Sequence, residues 1–128
     1  MPKYTKLESY YMSKISSLDM PTFEFAIKHV RIYKDDILVK VAGSKELLQD
    51  AVVNAFRNNL ESCLKEVHRE KSSLVDETPT LESYVFQYES EHETLNIQTI
   101  KPQKTIAPKA FLRAYARNVL DLLSEEFK

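Results

Sequence analysis

The sequence predicts a single α+β domain, ordered helix, helix, hairpin, long helix, hairpin, helix. Three observations predict it. A helical apolar period runs through residues 44–70, two pairs of short segments at 29–42 and 83–100 alternate apolar and polar residues, and a second apolar stripe closes the chain at 108–127. With 128 residues the chain is long enough to bury a core without staples. A hydrophobic content of 43% with 29% charge places it among ordinary globular domains. Residues 1–100 are expected to form the α+β core, and 101–128 a basic linker with a C-terminal helix.

Residues 4–18 place Leu7, Tyr10 or Tyr11, Ile15 and Leu18 at helical spacing. Asp19 can cap a second, short helix with Pro21 in its first turn, where the missing N–H costs nothing, and Phe23, Ala26, Ile27 and Val30 facing inward. In HVRIYKDDILVKVA, Val30 and Ile32, then Ile37, Val39 and Val41, alternate with polar neighbours around a turn at Lys34, Asp35 and Asp36. That turn lacks the glycine of a tight hairpin.

Ser44, behind the only glycine, Gly43, fits an N-cap for the long helix. Glu46 and Asp50 suit its positive end, and Lys65, His68, Arg69 and Lys71 its negative end. Leu47, Leu48, Ala51, Val52, Ala55, Phe56, Leu60, Cys63, Leu64 and Val67 draw one apolar face, leaving Asn54, Arg57, Asn58 and Asn59 for the polar side. The stretch SSLVDETP reads as a loop. SYVFQYE and TLNIQTI read as a second hairpin around Ser90, Glu91, His92 and Glu93, with a helix over 80–90 as the competing reading. KPQKTIAP is a linker, and Pro108 opens a last helix carrying Phe111, Leu112, Tyr115, Val119, Leu122, Leu123 and Phe127.

Composition excludes several kinds of chemistry. Phosphate-cradling loops need glycines, and the chain has one. A structural zinc site needs four close ligands, whereas Cys63, His29, His68 and His92 are scattered. Cys63 lies on an apolar face and reads as a small buried hydrophobe. Glu91, His92 and Glu93 read as a solvated turn, and no nucleophile and base can be paired, so neither an enzymatic activity nor a cofactor is expected. No apolar run approaches the ~20 residues that span a bilayer, and the N-terminus has no signal pattern, so a cytoplasmic location without membrane contact is expected.

Net charge is −1, but the order is blocky. Residues 72–100 hold no Lys or Arg and six acids, whereas Lys101 to Arg117 hold Lys101, Lys104, Lys109, Arg113 and Arg117 and no acid. On the last helix Lys109, Arg113 and Arg117 stand at i, i+4 and i+8 near its start, against the helix dipole, which costs about 0.3–1 kcal/mol per misplaced charge. Lys104, Lys109, Arg113, Tyr115 and Arg117 are therefore the expected partner contacts, since tyrosine too is enriched at interfaces.

Residues 18–67, with ILVKVAGSKELLQDAV as their centre, resemble the small helix, strand and long-helix unit shared by the N-terminal domain of the DnaA initiator and the C-terminal domain of the bacterial DNA polymerase III gamma/tau subunit. The tail APKAFLRAYARNVLDLLSEEFK is similar in layout to the end of gamma/tau chains, with a Pro, a Phe, a basic-Asn pair and a Leu-rich close. The resemblance implies a KH-like sheet packed on the long helix, and a non-catalytic part that holds replication proteins together. The expectation is an adaptor that binds another protein. The alternatives are a nucleic-acid binder using the basic helix, and a small homodimeric chaperone-like protein.

Overall fold

The computed structural model describes residues 3–15, 23, 25–43, 49–68, 79–100 and 107–126. The elements are α1 (Lys3–Ile15), β1 (Ala26–Ile32), β2 (Asp36–Ala42), α2 (Gln49–His68), β3 (Tyr84–Glu89), β4 (Thr94–Thr99) and α3 (Ala107–Glu126). The protein is of the α+β class. The four strands among the described residues make one sheet in the order β1-β2-β4-β3, antiparallel throughout.

Both hairpins follow from alternation. In β2, Ile37, Val39 and Val41 are buried, and in β4 so are Leu95, Ile97 and Thr99. Ile37 faces Ile97, and Val39 faces Leu95, so the apolar set of the two central strands lies on one side. Tyr84 and Tyr88 of β3 join that side, with Phe86 half-buried between them. Only Leu81–Ser83 winds helically, as a single 3-10 turn, so the strand reading of 84–89 holds. The β3–β4 turn has no glycine, and Glu93 takes the left-handed conformation itself, at φ 48°. Its carbonyl accepts from Val41 N–H at 2.9 Å, which ties the hairpin tip to β2. Gly43, at φ 82°, leaves β2 through the same region with open space where a Cβ would stand, so conformation alone asks for glycine there.

The second helix is corrected. Ala26, Ile27 and Val30, expected on its inner face, belong to β1. A bulge between Ile27 and His29 explains the misreading. Ile27 pairs with Val41 and Val30 with Val39, so the extra residue puts two apolar side chains three apart on the same face. A bulged strand thereby imitates helical spacing. Asp19 and Pro21 fall outside the described residues, as do Ser44, Glu46, Leu47 and Leu48 at the front of α2 and Arg69 and Lys71 behind it.

Of the described helices, α2 and α3 pack on the apolar face of the sheet, and α1 packs on both of them. α2 lies along β3 and buries Val52, Phe56, Leu60, Cys63, Leu64 and Val67; Phe56 stacks on Phe23 with ring centres 4.9 Å apart. The long helix shares this cover, because α3 crosses β1, β2 and β4 and packs along α1 as well. Ala107, Ala110, Phe111, Leu112, Ala114, Tyr115, Ala116 and Val119 are all buried, so the first half of α3 is enclosed nearly all round. The alanines let backbones approach where larger residues would hold them apart. Tyr84 donates its hydroxyl to the carbonyl of Pro108 at 2.7 Å, pinning the start of α3 to β3. Burial pushes the Cys63 thiol up to about 12, so it stays protonated and inert at neutral pH. No helix among the described residues is long and apolar enough to cross a membrane.

Candidate interaction surface

The basic line of α3 is brought together as its spacing predicts, but it points at the protein itself. Lys109 Nζ lies 2.8 Å from Asp35 Oδ1 in the β1–β2 turn. Arg113 Nε stands 3.4 Å and Arg117 Nε 3.3 Å from the same oxygen, Oε1 of Glu8 on α1. Arg113 Nη1 also donates to the Tyr33 carbonyl at 3.2 Å. Glu8 is only 6% exposed, so a carboxylate otherwise costly to bury is met by two guanidinium charges, Arg117 Nε donating a hydrogen bond to it and Arg113 Nε standing by as an ion pair without one. The line therefore fastens α1 and the first hairpin to α3. This accounts for cations where the helix dipole opposes them: the ion pairs offset that cost.

Tyr115 is corrected as a contact residue. It is 0% exposed and donates its hydroxyl to Asn59 Oδ1 at 2.5 Å, and burial among core side chains holds that hydroxyl well above the usual tyrosine range. Asn59 is corrected with it, since it faces the core rather than the polar side of α2. Lys104 lies outside the described residues. Tyr115→Phe should cost about 1–3 kcal/mol in urea unfolding, since Asn59 loses a buried donor. Tyr115→Phe combined with Asn59→Leu should cost less than the sum of the two, and strict additivity would show the bond to be idle.

Glu8, Asp35 and Asn59 are the residues that sequence reasoning missed. The available signal was the basic line itself. Three cations against the dipole call for acids, and Glu8 adjoins the apolar stripe of Leu7, Tyr11 and Ile15.

At the β3–β4 tip His92 Nδ1 sits 2.7 Å from Glu89 Oε1, with Glu91 close by, all three exposed. Glu89, three residues earlier, reaches the imidazole because β3 delivers it to the side of the turn where His92 lies. Among the described residues these are the only His, Cys, Asp or Glu side chains grouped closely enough to share an ion, and their exposure is that of a solvated turn.

Among the described residues no helix packs on the other face of the sheet. Cross-strand register sets Arg31 opposite Leu38, Leu38 opposite Asn96 and Asn96 opposite Gln87, a row across all four strands. On one side of it His29 faces Lys40, and on the other Asp36 and Val85 both face Gln98. Asn96 Nδ2 donates to Asp36 Oδ2 at 2.9 Å and to the Ile37 carbonyl at 3.1 Å, which holds the centre of the row in place. Val85 is 37% exposed and, with Asp35, Asp36, Gln98, Thr99 and Ile100, lines an open depression of about 340 Å³ at one end. Amides, a half-buried leucine and separated charges can dock a surface. Comparison with protein-family models, with curated proteins and with solved structures finds no match to this chain.

Proposed function

We propose that the protein is a non-enzymatic interaction module that binds another protein through the helix-free face of its sheet. The observation that carries this reading is one-sided packing. α2 and α3 both cover the same face, with α1 packed on those two helices, and among the described residues this leaves the Arg31, Leu38, Asn96 and Gln87 row as a firm platform with side chains set by strand register. The cations of α3, first considered as contacts, are occupied by Glu8 and Asp35, so a phosphate or an acidic partner there would have to displace a bond that holds the fold. Support accordingly moves from the helix to the sheet. A place among replication proteins rests on the resemblance of residues 18–67 and of the tail to the gamma/tau and DnaA domains.

The test is affinity capture from the native host with a tagged chain and its Leu38→Glu, Gln87→Glu variant. Both positions lie on the open face, so the melting temperature should move by no more than about 2 °C, as for surface changes in general, while capture of specific partners falls away. Undiminished capture by a folded variant would remove the sheet face as the contact surface.

A further inference from the structure

We infer that the partner docks an acidic segment on the β1–β2 half of this open face, an inference that rests on the interaction reading above. Three cationic side chains and an imidazole gather there. His29 and Lys40 are cross-strand neighbours, Arg31 stands two residues along β1, and the bulge between Ile27 and His29 adds Lys28 as an extra exposed cation. Arg31 Nε donates to His29 Nε2 at 3.2 Å, so the two side chains are gathered rather than spread apart.

Charge complementarity decides what fits. Lys109, Arg113 and Arg117 each have a carboxylate in the fold, whereas no described residue offers one to Lys28, Arg31 or Lys40. Neighbouring like charges repel, and an incoming carboxylate relieves that repulsion while gaining charge-assisted hydrogen bonds. Leu38, half-buried between Arg31 and Asn96, adds an apolar spot beside the cations. The matching segment carries acids next to an apolar side chain.

Nucleic acid fits this face less well. Single-stranded bases stack on runs of exposed aromatic rings, but Tyr84, Phe86 and Tyr88 of β3 look toward the helices, which leaves Tyr33, just past the end of β1, as a single exposed ring nearby. Asp36 and Glu89 also stand on the open face, toward opposite ends, and would interrupt a track of phosphates.

The experiment pans a displayed library of random short peptides on the full chain, on its Arg31→Glu, Lys40→Glu variant and on its Leu38→Arg variant, each verified as folded by circular dichroism. Peptides enriched on the unaltered chain should be rich in Asp and Glu with an apolar residue among them. A synthetic copy of the most enriched should weaken by at least about tenfold on the charge-reversed variant, and weaken also as salt rises. Enrichment without acids, or acidic peptides indifferent to Arg31 and Lys40, would overturn the inference; if binding is still lost with Leu38→Arg, the interaction reading survives alone. Failure of every variant to alter binding, or no enrichment at all, would remove both. A single-stranded DNA oligonucleotide that binds more tightly than the peptide and is lost on charge reversal would overturn the acidic-segment proposal in favour of nucleic acid.

Discussion

Replacing Arg113 and Arg117 together by Glu is expected to destabilise the whole fold markedly rather than to retouch its surface. The substitution removes both guanidinium groups from Glu8 and puts two more carboxylates beside one that is 6% exposed. Breaking a buried ion pair by removing one partner costs about 3–5 kcal/mol. Arg117 is half-exposed and adds less than Arg113, so the lower end of that range is the appropriate figure before repulsion is added. Against a total stability of about 5–15 kcal/mol for a domain, the melting temperature should fall by on the order of 10 °C or more. Thermal and urea unfolding followed by circular dichroism measure this directly. A double variant that melts with the unaltered protein would show the line to be a free surface after all.

Phe111→Ala should be nearly as damaging, through packing alone. The ring is fully buried on α3, meets Tyr11 of α1 edge-on with centroids 5.4 Å apart, and lies 6.3 Å from Tyr84 of β3. It thus joins α1, α3 and the sheet. Phe→Ala in a core costs about 3–5 kcal/mol, as transfer energy plus the cavity left behind. Phe86→Ala, on the partly buried rim of the same face beneath Arg57, should cost clearly less. Equal losses at the two positions in urea unfolding would mean that α3 is not the centre of the core.

Much of the fold was legible because most of its rules are local. Ile37, Val39 and Val41, and likewise Leu95 and Ile97, announce strands by alternation, and the period from Val52 to Val67 announces α2. Ile27 and Val30 were misleading because a bulge is a tertiary feature: the strand gains a residue only in relation to its partner. The enclosure of α3 was half visible, in its apolar stripe and its run of alanines, but the choice between α2 and α3 as the helix crossing most of the sheet depends on how separate elements stack. The interaction surface was the least legible part. Arg117 and Glu8 are 109 residues apart in sequence, and Tyr115 and Asn59 are 56 apart, so no periodicity could show that these polar groups satisfy one another inside the fold. The open face emerges only by subtraction, once the register shows which side chains the helices leave uncovered.

That subtraction depends on α3 turning its cations inward. A double-mutant cycle in urea with Glu8→Gln, Arg113→Gln and the pair combined measures it most directly. The account predicts a coupling of about 1–3 kcal/mol, the combined variant being less unstable than the two single losses added together. A coupling of zero, with Arg113→Gln as stable as the unaltered protein, would contradict it and return the basic line to the surface as a contact for partners.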